Sequence, residues 1–205
     1  MLIRLLLIIL LTIPAVSTAR PVIMVLGDSL SASYGIDQNN GWVHLLEQRL
    51  MAQGFSYNVV NASISGETTR GAVSRFDRLL KQHNPEIIII ELGANDGLRG
   101  LSLESMYSNL AQIIEQSRSH EADVLLIGMR IPPNYGNKYT EQFADTYSRL
   151  SQHYNVSLVP FLLDGIEKNK TMFQADELHP VAAAQPVLLD NVWNHLVRML
   201  AKGID

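Results

Sequence analysis

The segment Glu86-Ile87-Ile88-Ile89-Ile90-Glu91-Leu92-Gly93-Ala94-Asn95-Asp96-Gly97 sets the architecture of this chain. Its first seven residues (EIIIIEL) form a continuous β-rich run with no polar alternation, which reads as a strand buried on both faces, as in a parallel sheet. Two other runs are of the same kind: Val22 to Leu26, ended by Gly27-Asp28, and Val124 to Met129 (VLLIGM). Tyr57 to Asn61 (YNVVN) and Ser157 to Pro160 (SLVP) are weaker candidates and bring the strands to five. Helical periodicity fills the intervals. Trp42, Leu45, Leu46 and Leu50 recur at helical spacing before Gly54, a C-terminal capping glycine, and Val73, Phe76, Leu79 and Leu80 do so before Asn84-Pro85. Leu103, Met106, Leu110, Ile113 and Ile114 make a third stripe. Phe143, Tyr147 and Leu150 make a fourth, and Val187, Leu188, Val192, Leu196 and Leu200 a fifth. Alternating strands and helices imply right-handed crossovers, so the expected fold is α/β: a three-layer α/β/α sandwich around a five-stranded parallel sheet. Ligands of such sheets bind beyond the carboxyl ends of the strands, and the residues that follow each strand are where chemistry is sought.

Composition narrows the class further. The chain has 205 residues, 47% hydrophobic and 18% charged, which fits one globular domain and excludes wholesale disorder. Sixteen Lys and Arg against twenty Asp and Glu give a formal charge of -4, with no general attraction for phosphate backbones, so no nucleic-acid partner is expected. The absence of cysteine removes disulfides, thiolate nucleophiles, cysteine zinc sites and a lipoprotein anchor. Residues 1–19 carry Arg4, an apolar run from Leu5 to Ile13, and small residues leading to Ala19. They read as a secretory signal peptide, since the apolar run is too short to cross a bilayer. Residues 20–205 are then one exported domain without a stable membrane anchor, expected in the periplasm, although full secretion fits as well. No linker or internal repeat is visible, and a monomer is expected.

The strand ends carry small, polar, glycine-rich loops: Gly27-Asp28-Ser29-Leu30, Asn61-Ala62-Ser63-Ile64-Ser65-Gly66-Glu67-Thr68 and Gly93-Ala94-Asn95-Asp96-Gly97. Any one of them is also ordinary turn chemistry. A fourth piece, Asp176-Glu177-Leu178-His179-Pro180, lies between the last strand and the last helix. Four ordered blocks on this frame are specific, and through them the chain resembles the SGNH or GDSL hydrolases. The GDSL block is Gly27 to Leu30, the glycine block falls at Gly66, the G-x-N-D block is Gly93 to Asp96, and the D-x-x-H block is Asp176 to His179. Within that family the chain is most similar to the branch of bacterial acyl-CoA thioesterases, lysophospholipases and arylesterases. That likeness rests on Asn61 to Gly66 and Glu91 to Gly100 and runs the length of the chain. One departure is Val181, where the family often has Asn.

The resemblance implies the flavodoxin-like SGNH fold and a serine esterase. A serine hydroxyl needs a neighbouring base at neutral pH, and imidazole, with an ordinary pKa of about 6.5, is the usual one. Ser29 is thereby the expected nucleophile and His179 the base, with Asp176, three residues earlier, orienting the imidazole. Charge on the tetrahedral intermediate needs donors, and the resemblance assigns the Ser29 N-H, the Gly66 N-H and the Asn95 amide, with Gly66 read as admitting close backbone approach. Apolar residues near the third and fourth loops (Leu98, Leu101, Ile131, Pro132, Pro133 and Tyr135) are candidates for an acyl groove, with Leu98, Ile131, Pro132 and Tyr135 taken as substrate-binding. They could equally be packed loop walls. Expected substrates are acyl-CoA thioesters, lysophospholipids and aryl or short- to long-chain esters, with no metal and no cofactor.

Other readings differ in what they require. A carbohydrate O-acetylesterase uses the same residues with a shallower polar pocket. A non-catalytic periplasmic ligand-binding module gives no reason for Ser29, Asn95, Asp176 and His179 to occur in order. A phosphate- or flavin-binding domain lacks support, since neither G-x-G-x-x-G nor G-x-x-x-x-G-K-[ST] follows the first strand. His44, His83, His120, His153 and His195 fall on predicted helices at mostly polar positions and read as surface residues. Asp28 and Asp96, beside the expected catalytic positions, read as loop hydrogen-bonding groups.

Overall fold

The computed structural model describes residues 20–202, so the expected signal peptide at residues 1–19 lies outside the described residues. Five strands form one sheet: β1 (Val22–Gly27), β2 (Asn58–Asn61), β3 (Ile87–Glu91), β4 (Asp123–Ile127) and β5 (Ser157–Val159). All pairings are parallel, in the order β2-β1-β3-β4-β5. The helices are α1 (Trp42–Ala52), α2 (Thr69–His83), α3 (Ala94–Leu98), α4 (Leu103–Ser119), α5 (Asn137–Tyr154) and α6 (Gln185–Lys202). On one face of the sheet α1 packs on α6, and on the other α4 lies between α2 and α5, which completes the three-layer α/β/α arrangement.

The burial of each strand accounts for how plainly its sequence spoke. Every residue of β3 is buried, as are all of β1 after Val22 and all of β4 after Asp123, so these strands carry no polar alternation. The edge strands β2 and β5 leave their first residues exposed and are correspondingly mixed. Trp42, Leu46 and Leu50 of α1, Phe76 and Leu80 of α2, Leu110 and Ile114 of α4, and Phe143 and Tyr147 of α5 turn their stripes onto the sheet. Helix ends follow local chemistry. The Thr68 hydroxyl accepts a hydrogen bond from Gly71 N-H at the start of α2, and Asn84 closes that helix in the left-handed conformation at φ 41°.

One element departs from the sequence reading. Gly93 to Gly97, expected as a loop, forms the cap and most of the short helix α3, which places Asn95 and Asp96 in a single helical turn. Asn95, Asp96 and Gly97 are poor helix formers, and tertiary bonds hold the turn instead: Asp96 accepts hydrogen bonds from the Thr69 N-H (2.9 Å) and hydroxyl (2.7 Å).

Sheet order reverses between β1 and β3, because the chain goes outward to β2 and then returns past β1. The crevice at the carboxyl ends of β1 and β3 is therefore the topological switch point, where doubly wound sheets hold their ligands. Gly27 and Glu91 are register partners there.

Candidate active site

Beyond β1 the chain turns sharply through Asp28 to Ser33, with the Ala32 N-H donating to the Asp28 carbonyl. Ser29 sits on this turn. His179 approaches from the connection between β5 and α6, and its Nε2 lies 2.9 Å from Ser29 Oγ across 150 residues of sequence. His179 Nδ1 lies 2.6 Å from Asp176 Oδ2. With a proton on Nδ1 donated to the carboxylate, Nε2 is left as the acceptor for the serine hydroxyl.

The histidine loop is closed by its own sequence. Asp176 Oδ1 accepts hydrogen bonds from the backbone N-H groups of Leu178 and His179 at 2.9 and 3.0 Å, an Asx-type turn. The Gln174 N-H donates to the His179 carbonyl, and Phe173 bridges Pro180. Hydrogen bonds from the His179 backbone and ring hold the Asp176 carboxyl down at about 2, so it is ionised throughout the neutral range. The Tyr34 ring packs against the imidazole at 4.5 Å, and Gln174 Nε2 donates to the Tyr34 carbonyl at 2.8 Å, tying the serine and histidine loops together.

Asn95 Nδ2 donates to Asp28 Oδ2 at 3.1 Å, leaving its second amide hydrogen free for another acceptor. Among the described residues, the N-H groups of Ser29 and Gly66 have no protein acceptor. Gly66 is exposed, on the loop between β2 and α2, and its carbonyl accepts a hydrogen bond from Arg99 at 2.8 Å. A Cβ at Gly66 would meet only Arg99 Nη2 at 3.6 Å among protein atoms, so protein crowding does not require glycine there. The backbone does, since φ is +78°. The rest of this loop is anchored by the Glu67–Arg75 ion pair, with Glu67 buried and Arg75 half-buried, and by an Arg75 hydrogen bond to the Ala62 carbonyl.

A cavity of about 170 Å³ opens beside Ser29, Asn95 and His179. Its walls are mainly apolar: Leu30, Leu98, Met129, Ile131, Pro132 and Leu163 contribute, with Leu178. Of the four residues expected to bind substrate, Leu98, Ile131 and Pro132 line it. Tyr135 does not; it is 38% exposed, and its hydroxyl donates to the Leu98 carbonyl at 2.9 Å, where it braces the wall from outside. Leu101 and Pro133 also lie off the cavity, on the surface. Arg130, not singled out in the sequence, lines the same cavity and stacks 4.6 Å over the Phe161 ring.

Beneath the serine turn lies Glu91, to which the sequence reading gave no role, beside Asp28, which it read as a loop hydrogen-bonding group. Glu91 is 0% exposed, and Asp28 beside it is 1% exposed. Burial pushes the Asp28 carboxyl up to about 6 and Glu91 well above the ordinary carboxylate range. The signal available was a lone charge inside an otherwise apolar strand. The other five histidines are exposed or half-buried on helices or at their ends and line no part of this cavity. Among the described residues, no cluster of three or more His, Asp or Glu could hold a metal ion.

Serine, imidazole and carboxylate in sequence at the switch point of a doubly wound sheet define a hydrolase of the serine type, and the comparisons with known proteins place it more closely. The GDSL-like lipase/acylhydrolase family matches residues 25–185, and the chain belongs to that family. It is 46% identical over 182 residues to esterase TesA of Pseudomonas aeruginosa, covering 89% of this chain and 90% of the relative. With thioesterase 1/protease 1/lysophospholipase L1 of Escherichia coli K12 it shares 38% identity over 174 residues, 85% of this chain and 82% of that one. The crystal structure of the psychrotrophic esterase EstA from Pseudoalteromonas sp. superposes with a TM-score of 0.84 at 40% identity, covering 88% of this chain and 98% of that one. The protein is a serine esterase, acting on ester bonds of small-molecule substrates.

Proposed function

We propose that this esterase cleaves acyl esters and thioesters by a two-step transfer through Ser29, with His179 as base and Asp176 as its orienting anion. The relay of 2.9 Å and 2.6 Å from Ser29 through His179 to Asp176 carries this reading. Ser29 Oγ attacks the substrate carbonyl carbon as its proton passes to His179 Nε2. The carbonyl oxygen, now an anion, is met by the N-H groups of Ser29 and Gly66 and by the free hydrogen of the Asn95 amide. Collapse of this intermediate breaks the bond to the alcohol or thiol, which leaves with the proton from Nε2. Water then repeats the sequence on the acyl-enzyme and releases the acid.

The apolar cavity beside Ser29 takes the acyl group, and its modest volume suits short to medium chains, with longer chains continuing out over the loops. Arg130 gives the site a cation for substrates that carry phosphate, such as lysophospholipids and acyl-CoA. Cleavage after Ala19 and export to the periplasm would favour lysophospholipids and other esters over cytosolic acyl-CoA. Among the described residues no helix is long and apolar enough to cross a membrane.

The test is hydrolysis of p-nitrophenyl esters from acetate to palmitate by residues 20–205, with Ser29→Ala alongside. Turnover peaking at short to medium chains and lost in the variant is expected. Undiminished turnover in Ser29→Ala would remove Ser29 as nucleophile, and acetate-only turnover would indicate an acetylesterase.

A further inference from the structure

Glu91 ends β3 directly beside Gly27 of β1, under the turn that carries Ser29. Its Oε2 accepts hydrogen bonds from the Ser31 hydroxyl at 2.7 Å and the Asp28 N-H at 3.3 Å. Its other oxygen, Oε1, is buried without a donor among the described residues. Asp28, whose N-H makes the second of those bonds, adjoins Glu91 and is itself buried. The Asp28 oxygens are occupied in turn: Oδ1 accepts from the Leu30 N-H at 3.0 Å and Oδ2 from the Asn95 amide at 3.1 Å. The cluster closes because residue 27 is glycine, since a Cβ there would fall 2.7 Å from Ser31 Cβ and 2.9 Å from Glu91 Oε2. The titratable groups that face the pair are His179, from the loop after β5, and Tyr147 of α5, which Asp96 of α3 also faces.

Two neighbouring carboxyls out of water disfavour ionising together, so the pair retains one proton. Which residue holds it follows from the partners. Asp28 receives two N-H donors and lies in the field of His179, all of which favour its anion. Among the described residues Glu91 has no cation in contact and an oxygen that no donor satisfies, so the proton belongs there. A second negative charge at this position would repel Asp28 and oppose the anion that forms on the substrate.

We propose that Glu91 is a positioning residue of the esterase: as a neutral acid held by the Asp28 N-H and the Ser31 hydroxyl it fixes Asp28 in the serine turn, and through Asp28 it aims the Asn95 amide at the carbonyl oxygen bound over Ser29. The inference rests on the acyl-transfer reading given above. None of the four sequence blocks contains this residue, and it touches neither substrate nor Ser29. Its effect is confined to the alignment of a donor that matters most in the transition state, which separates it from a residue that only fills space.

The experiment compares wild type, Glu91→Ala and Glu91→Gln on p-nitrophenyl butyrate, per folded protein by circular dichroism, with Ser29→Ala as the blank. Misaiming an oxyanion donor by a fraction of an ångström to about 1 Å lowers kcat by roughly tenfold to a hundredfold. Glu91→Ala is expected to show that loss with KM unchanged, and Glu91→Gln, which keeps a neutral polar group, to restore kcat to within about threefold of wild type. In enzyme carrying 13C-carboxyl glutamate, one glutamate signal is expected at the protonated position at pH 7 and absent from Glu91→Gln. Unchanged kcat in folded Glu91→Ala, an equal loss in Glu91→Gln, or no protonated glutamate would each overturn the proposal. If Glu91→Ala does not fold, the glutamine variant and the glutamate signal decide it. Turnover persisting in Ser29→Ala would instead refute the acyl-enzyme reading, a separate outcome.

Discussion

Replacing Asn95 with alanine tests the donor geometry most directly. Its amide has two hydrogens, one committed to Asp28 Oδ2 at 3.1 Å and one available to the substrate oxygen. Loss of a single oxyanion donor costs about 2.7–4 kcal/mol of transition-state stabilisation, or about 10²–10³ in kcat. Asn95 is half-buried rather than sealed from water, so the lower end of that range, about a hundredfold, is expected. A second effect follows from the same bond. Burial raises the Asp28 carboxyl to about 6, against the opposing pull of hydrogen bonds from the Leu30 N-H and the Asn95 amide. Removing Asn95 deletes one of these and moves the value higher. The anionic form of Asp28 is then lost at a higher pH, and the acidic limb of the rate profile shifts toward neutrality. Steady-state kcat and KM for p-nitrophenyl butyrate between pH 5 and 9 measure both effects. A loss of less than about fivefold, or a loss borne by KM with kcat intact, would refute the assignment of Asn95.

Asp176→Asn cannot hold the imidazole in the required tautomer and should lower kcat by about 10²–10⁴; less than tenfold would count against the relay. Because Asp176 is held at about 2, it should contribute no limb to the wild-type profile above pH 4. Ile131→Phe fills part of the 170 Å³ cavity and should shift the preferred p-nitrophenyl ester toward acetate, which a chain-length series reads directly. Tyr147→Phe leaves the buried Leu92 carbonyl without its 3.0 Å donor, a cost of about 1–3 kcal/mol, and each kcal/mol should lower Tm by about 2–4 °C in calorimetry. The raised Glu91 carboxyl contributes stability that is complete below its unfolded value near 4.5 and is lost as pH rises toward its folded value, by up to about 1.4 kcal/mol per pH unit. Glu91→Gln has no such proton to lose, so its Tm relative to wild type should rise between pH 5 and 8; a constant difference would refute this.

The sequence was most legible where a residue's surroundings leave one solution. β1, β3 and β4 are buried on both faces and had to be apolar throughout, whereas β2 and β5 lie at the edges and spoke less plainly. Helix α3 was hidden because its turn is held by Thr69 and Asp96, contacts from a different element that periodicity does not encode. Ser29, Asn95, Asp176 and His179 stood out because acyl transfer needs those chemical types in combination. Tyr135 was misplaced for the opposite reason: an aromatic after β4 suggests a cavity wall, and only the structure turns its hydroxyl onto Leu98. Arg130 was missed because a lone arginine in a loop is unremarkable by itself. The positive φ of Gly66, +78°, was not legible, because the sequence does not encode backbone dihedrals.

The latch between the serine and histidine loops bears on when the protein becomes active during its synthesis. Gln174 reaches back 140 residues to Tyr34, and Gln185 accepts a hydrogen bond from the Trp42 N-H 143 residues away. Arg49 likewise pairs with Asp190. Ser29 emerges early from the ribosome but stays without His179 until nearly the whole chain has been made and folded. Contacts of such long sequence separation form late and slowly. A nascent or unfolded chain is therefore silent toward the esters around it, and hydrolysis begins only where folding is completed.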